Sequence, residues 1–279
     1  LAGKAGENEK LMYAFEDHGG RAVGLRYDLT VPLARVVAQH QNELVFPFKR
    51  YHIAPVWRAD NPQRGRFREF WQCDVDVAGT PSMLADAEVV AVLAESLAAV
   101  GLPNVTIAIS HRRLLECVGR AAGVPTEQAG GLYRAIDKLD KIGPEGVARE
   151  MAEAGVESGA ADRVLGMVTA GGEGRARLDG LRGDLAGVEG ADAALTDLDR
   201  LFAALPALGV PDGTWRFDLA LARGLDYYTG PVFEATVTEP RVGSVAGGGR
   251  YDGLVGAFLG RAVPAVGVSL GLERILEVV

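Results

Sequence analysis

Apolar and polar residues alternate with a period of two through Arg50–Val77, and the rest of the chain is organised around that stretch. Tyr51, Ile53, Pro55 and Trp57 interleave with His52, Ala54, Val56 and Arg58; further on, Trp71, Cys73, Val75 and Val77 interleave with Phe70, Gln72, Asp74 and Asp76. Successive side chains on a strand point to opposite faces. The pattern therefore predicts two strands, each with an apolar and a mixed face, joined by a long polar loop. The mixed face of the second strand carries an aromatic, an amide and two carboxylates, a set that suits the wall of a cavity. The loop and its edge hold Arg58, Asp60, Arg64, Arg66 and Arg68. Guanidinium groups fork onto phosphate oxygens, so this hairpin reads equally as a polyphosphate cradle or as a solvated basic hairpin.

Elsewhere the pattern predicts a short strand around Leu11–Phe15, a turn at Asp17–Gly20 and an extended segment over Ala22–Tyr27. Pro32 opens a helix to about Gln39, since proline suits a first helical turn; Asp28 or Thr30 would cap it. A largely apolar helix runs from Thr80 and Pro81 to about Val100, ended by Gly101 and Pro103. Val105–Ile109 reads as a strand, and Ser110 caps a helix to about Ala122. Residues 124–213 read as short helices rich in alanine, glycine and charge, without a chemical motif. Alternation returns over Trp215–Leu221, resumes at Val232–Thr238 and closes in a strand-to-helix unit over Ala265–Val279.

Bulk properties narrow the classes. The 279 residues are 48% apolar, ample for one large or two modest cores. With a net charge of −8, a nucleic-acid partner would need a local basic patch. Residues 110–215 do not supply one, carrying 12 Lys and Arg against 17 Asp and Glu, a local net of −5. Cys73 and Cys117 have no metal spacing, which suits a reducing cytoplasm. No apolar run reaches transmembrane length. His18, His40, His52 and His111 read as structural.

Four segments carry a family resemblance. WRADNPQRGRFREFWQCDVD (57–76) resembles motif 2 of the class II aminoacyl-tRNA synthetases, in the form used by histidyl-tRNA synthetases. ARGLDYYTGPVFEA (222–235) and GSVAGGGRYDGLVGAF (243–258) resemble the signature segments of histidyl enzymes, and AVGVSLGLERILEVV (265–279) resembles motif 3. The RYDLT and WQCDVD forms resemble the eukaryote/archaeal-like branch. The resemblance covers nearly the whole chain. It implies an α+β fold, with a mostly antiparallel sheet flanked by helices. Residues 1–109 and 214–279 would form the catalytic core, and 110–213 a helical insertion. It implies a cytoplasmic histidine–tRNA ligase that uses ATP with magnesium, histidine and tRNA(His), homodimeric at full length and independent of membranes. Motif 1 should precede Leu1 and an anticodon-binding domain should follow Val279, so the chain reads as a catalytic-domain fragment.

The resemblance also implies roles. Arg58 would hold the α-phosphate and the histidine carboxylate, Asp60 adenine or ribose, and Arg66 the terminal phosphates. Phe70 would stack on adenine, with Arg274 on its other side or on phosphate. Asp28, Thr30 and Gln72 would line the amino-acid pocket, with Asp28 and Gln72 at the ammonium. Asp76 would sit near the ammonium or the ring, and Tyr228 and Tyr251 at the imidazole. Arg223 would set a fixed cation beside the α-phosphate and histidine. No residue is assigned to a metal. The glycine run Gly247–Gly249 would either cradle phosphate or let strands pack closely. The competing reading is the regulatory subunit of ATP phosphoribosyltransferase, which shares the fold and a similar GLDYYTG segment. Such a histidine sensor has no use for Arg58, Arg66, Phe70, Arg223 and Arg274, so those residues favour the synthetase.

Overall fold

A computed structural model describes residues 11–102, 104–171, 174–222, 227–237 and 243–279. A small hairpin, β1 (Ala14–Glu16) and β2 (Ala22–Gly24), leads into helix α1 (Thr30–Gln39). The two alternating stretches form β3 (Phe48–Trp57) and β4 (Glu69–Ala78), antiparallel and in register from Trp57 opposite Glu69 to Phe48 opposite Ala78. Helix α2 (Met83–Ala99) follows, then β5 (Thr106–His111). Six helices come next: α3 (Arg112–Ala121), α4 (Ala129–Ile136), α5 (Leu139–Glu153), α6 (Ser158–Thr169), α7 (Gly174–Asp184) and α8 (Ala191–Ala204). The chain then returns to the sheet through β6 (Trp215–Phe217), β7 (Pro231–Thr236), β8 (Ser244–Arg250) and β9 (Ala265–Gly271). Short helix α9 (Gly256–Leu259) precedes β9, and α10 (Leu272–Leu276) follows it.

The sheet has the order β3-β4-β9-β8-β7-β5-β6, and every neighbouring pair is antiparallel except β5 with β6. The α+β expectation with a mostly antiparallel sheet holds. Pro55 is tolerated in β3 because that strand is the sheet edge, where a missing N–H removes no ladder bond. Helix α2 is apolar nearly all round because it lies between the sheet and α8. One continuous core runs from Val77, Ile107 and Val266 on the strands, through Leu93 of α2, to Leu198 and Leu201 of α8. Each such side chain, fully buried, contributes roughly 1.5–3 kcal/mol.

Several boundaries differ from the sequence pattern: β1 starts at Ala14 rather than near Leu11, and β2 ends at Gly24 rather than Tyr27. Ser110 stays within β5, opposite Val232, and the cap of α3 is His111, whose Nδ1 accepts the Arg113 N–H at 3.1 Å. Helix α2 is capped by Ser82 rather than opened at Thr80. The strand expected to reach Leu221 stops at Phe217, because Asp218 turns the chain by accepting the Ala220 N–H on its own carboxylate. Pro103 and Thr238 lie outside the described residues.

The two faces of the β3–β4 hairpin are not what hydrophobicity alone suggests. Tyr51, Ile53 and Trp71, on the apolar face, are exposed, Tyr51 to 77%. On the mixed face Ala54, Val56, Gln72, Asp74 and Asp76 are buried. The polar face is the inner one because it forms the wall of a cleft.

Candidate active site

The cleft has a volume of about 310 Å³ and lies on the mixed face of β4. Side chains two apart on a strand share a face roughly 6.5–7 Å apart. Phe70, Gln72, Asp74 and Asp76 thus form a line along its wall, with the aromatic at one end and the last carboxylate at the other. Of the residues the resemblance gives a role, all but Arg223 line this one cleft: Asp28, Thr30, Arg58, Asp60, Arg66, Phe70, Gln72, Asp76, Tyr228, Tyr251 and Arg274; Arg64 and Arg68 of the hairpin do not. Arg223 lies outside the described residues, as do Gly224 and Asp226.

At the Phe70 end the arginine hairpin is fixed by its own backbone and by α10. The Arg58 N–H donates to Arg68 O at 2.9 Å, which closes the loop at its base. The Gly65 N–H donates to a Glu277 carboxylate oxygen at 2.9 Å, and Arg274 Nε donates to Gly65 O at 2.8 Å, which hold the tip. Glu273 accepts the Trp71 N–H at 2.8 and 3.0 Å, anchoring α10 to the strand that carries Phe70. Arg58 lies over the Tyr27 ring at 4.2 Å and the Phe70 ring at 5.0 Å, with its Nε donating to Tyr27 O at 3.0 Å. Arg66 sits 3.7 Å from Asp60. This end thus offers held guanidinium groups beside an aromatic face, a chemistry suited to a nucleotide's phosphates and base.

The other end is acidic and hydroxylic. Asp28 accepts the Val31 N–H at 3.0 Å, so it caps the start of α1 while lining the cleft. Tyr251 donates to Asp76 Oδ1 at 2.5 Å. Arg50, opposite Asp76 on β3, brings its Nη2 within 2.9 Å of Asp76 Oδ2 as an ion pair off the line of a hydrogen bond, and donates to Leu29 O at 3.0 Å. Gly267 faces Asp76 from β9, and a Cβ there would overlap the Asp76 carboxyl. A Cβ at Gly248 would overlap the Gly267 carbonyl, so at that position the glycine run serves close strand packing. Tyr227 packs edge-on against Tyr228 at 4.7 Å and Tyr251 at 6.3 Å, forming an aromatic wall.

Burial governs the charge states here. It pushes the Asp76 carboxyl up to about 6 against the pull of Arg50 and the Tyr251 hydroxyl. It pushes Asp74 up to about 7 against the Ser269 hydroxyl, and it raises Asp28 against the Val31 N–H. Tyr228 is pushed up to about 12 by burial, and so stays a neutral hydrogen-bonding group. Three carboxylates set against Arg50, with Arg58 also acting on Asp28, make a pocket for a cationic or N–H-rich ligand.

Sequence reasoning missed Asp74, Arg50, Tyr227 and Glu273. Asp74 had a signal: it falls between Gln72 and Asp76 on the same strand face. Arg50 and Glu273 had none, since their partners come from other strands.

A mostly antiparallel sheet with an arginine hairpin at one end of its cleft and acids at the other defines the catalytic core of a class II aminoacyl-tRNA synthetase. The fold of a crystal structure of histidyl-tRNA synthetase from Nostoc sp. PCC 7120 matches it with a TM-score of 0.85 at 35% identity, covering 95% of this chain and 62% of that one. The chain belongs to the histidyl-tRNA synthetase family, whose model, described as Histidyl-tRNA synthetase, matches residues 1–275. It is 47% identical to a histidine–tRNA ligase of Aeropyrum pernix over 99% of this chain and 63% of that protein. It is likewise 47% identical to a cytoplasmic histidine–tRNA ligase of Dictyostelium discoideum over 100% of this chain and 58% of that protein. The chain thus spans about three fifths of the length of these relatives. A Bacillus halodurans structure described as an ATP phosphoribosyltransferase regulatory subunit/histidyl-tRNA synthetase matches with a TM-score of 0.83 at 26% identity, covering 96% of this chain and 68% of that one. Among the described residues no helix is long and apolar enough to cross a membrane, and no group of three or more His, Cys, Asp or Glu is placed to hold a metal.

Proposed function

We propose that this cleft activates histidine with ATP to histidyl-adenylate, as the catalytic core of a cytoplasmic, homodimeric histidine–tRNA ligase that then transfers histidine to tRNA(His). The observation that carries the reading is the division of the cleft along β4, with guanidinium groups and Phe70 at one end and carboxylates and tyrosines at the other. In this reading a carboxylate oxygen of histidine attacks the α-phosphorus in line, the bond to the bridging oxygen breaks, and pyrophosphate leaves. No covalent enzyme intermediate is needed, so catalysis is positioning and charge stabilisation. Phe70 supports adenine, with Arg274 beside it; Asp60 reaches adenine or ribose. Arg58 holds the α-phosphate and the incoming carboxylate, and Arg66 the terminal phosphates. Arg223 adds fixed charge at the α-phosphate. Asp28 and Gln72 take the ammonium, with Thr30 beside them, and Asp76, Tyr228 and Tyr251 surround the imidazole. Magnesium enters with the substrate as MgATP; it needs few protein ligands there. Glu273 is engaged by the Trp71 amide and Asp60 by Arg66, so neither is assigned to the ion. Residues 110–213 form the helical insertion between the two parts of the core.

Histidine-dependent exchange of labelled pyrophosphate into ATP tests this reading. Exchange that requires histidine supports it. A protein that binds histidine but exchanges no pyrophosphate would fit the regulatory-subunit reading instead.

A further inference from the structure

We propose that Asp74 is a specificity-determining residue of the cleft, whose carboxylate accepts the ring N–H of the bound amino acid. The inference rests on the histidine-activation reading above and adds a residue to it. Asp74 is 2% exposed, lines the cleft from the middle of β4, and its Oδ1 has no hydrogen-bond partner among the described residues. The other two acids are already engaged. Asp76 receives the Tyr251 hydroxyl on Oδ1 and is ion-paired to Arg50 at 2.9 Å through Oδ2, which makes no hydrogen bond, and Asp28 receives the Val31 N–H. Arg50 approaches Asp74 only to 4.0 Å.

An unpartnered buried carboxylate oxygen is costly, and the cost falls when a ligand brings an N–H to it. Its neighbour Ser269 on β9 already orients the group. Gln72 Nε2 donates to Ser269 Oγ at 2.7 Å, which frees the Ser269 hydroxyl hydrogen to meet Asp74 across the β4–β9 ladder. Same-face neighbours on the strand are roughly 6.5–7 Å apart, close to the span from the α-nitrogen of histidine to its distal ring nitrogen. A substrate whose ammonium lies by Gln72 and Asp28 therefore places its ring beside Asp74. An ionised carboxylate can only accept, so it discriminates against rings that lack an N–H.

The charge state fits this use. Burial pushes Asp74 up to about 7; the Ser269 hydroxyl and Arg50 oppose the rise, and Asp76 and Asp28 add to it. His52, opposite on β3, and Tyr228 complete its ionisable surroundings. The accepting form therefore fills as pH rises from about 6 to 8.

The test titrates histidine, ATP, 1-methylhistidine, 3-methylhistidine and 2-thienylalanine into the wild-type protein and Asp74→Asn by calorimetry. The expected result is a loss of histidine affinity of about 10- to 100-fold in the variant. ATP affinity should change less than about twofold, which also reports correct folding. The preference for histidine over 2-thienylalanine should collapse, as follows when a hydrogen-bonding pocket loses its acceptor. Wild-type histidine affinity should climb between pH 6 and 8 more steeply than that of the variant. A merely structural role would lower all ligands together and leave the ring preference intact. If Asp74→Asn does not fold, Asp74→Ser carries the same comparison. A variant that binds histidine as tightly as wild type, with the same ring preference, overturns the assignment while leaving the histidine-activation reading standing. A wild-type protein that binds no histidine overturns both.

Discussion

The cleft face of the sheet and the helical segment α3–α8 solve opposite problems. Along the cleft, Asp28 before α1 and Gln72, Asp74 and Asp76 on β4 are buried, and oxygens of the last three lack hydrogen-bond partners among the described residues. In the helices, buried side chains are almost all apolar, from Leu114 and Leu132 to Leu198 and Phe202. Arg177 is the one buried charged residue among the described residues of that segment, and it donates to Met167 O. Unpartnered buried polar atoms cost stability, of order 1–3 kcal/mol each. The β5–α3 junction also buries polar atoms, but there His111 Nε2 faces Asp197 at 3.7 Å and Arg112 pairs with Glu116 at 2.9 Å, whereas those of Gln72, Asp74 and Asp76 line a cavity, which marks the cleft face as shaped for something besides its own folding. The contrast locates chemistry without any catalytic motif in hand.

The largest effect is expected from removing charge at the Phe70 end. Arg58→Ala should lower the histidine-dependent exchange rate by roughly 10²–10³-fold, the scale of losing one preorganised stabilising donor, with little change in thermal stability. A variant that exchanges normally would remove the functional half of the contrast.

Leu198→Ala probes the scaffold. It empties a fully buried site on α8 and should cost about 2–5 kcal/mol in chemical denaturation. The exchange rate per folded molecule should stay within about twofold. A large change in rate at unchanged fold would show that the helices shape the cleft directly.

Asp74→Asn should do the reverse of Leu198→Ala, raising the stability of the ligand-free protein. Its folded-state pKa, about 7, lies above the ordinary value of 3.8, so its contribution is complete below pH 4 and is lost as pH rises through 7. The variant should therefore gain on the order of 1–2 kcal/mol over wild type at pH 8, and little at pH 4. Equal stability at both pH values would mean that Asp74 is not strained by burial. The smallest effect is expected at the exposed Arg175–Asp199 pair, 2.9 Å apart, where Arg175→Ala should cost under about 0.5 kcal/mol.

The sheet hairpin was legible because period-two alternation is local and long, and its mixed face was recognisable as a cavity wall. The division of labour among the acids was not. Whether Asp74 or Asp76 is open depends on Tyr251 from the β8 end and Arg50 from β3, which no local pattern brings together. The cap of α3 failed for a similar reason. Serine is the better cap by preference, but pairing with β7 carries β5 through Ser110 and hands the cap to His111. The arginines at the Phe70 end were legible by type, whereas their fixation by Glu277 and Glu273 at α10 appears only in three dimensions.

If β4 orders the two substrates, nucleotide at Phe70 and amino acid between Gln72 and Asp76, a crystal structure with histidine and a non-hydrolysable ATP analogue will show adenine against Phe70, α-phosphate oxygens on Arg58, and the imidazole within hydrogen-bond distance of Asp74 and the Tyr228 or Tyr251 hydroxyl. Histidine bound outside the cleft, or with its ring at the Phe70 end, would contradict this order.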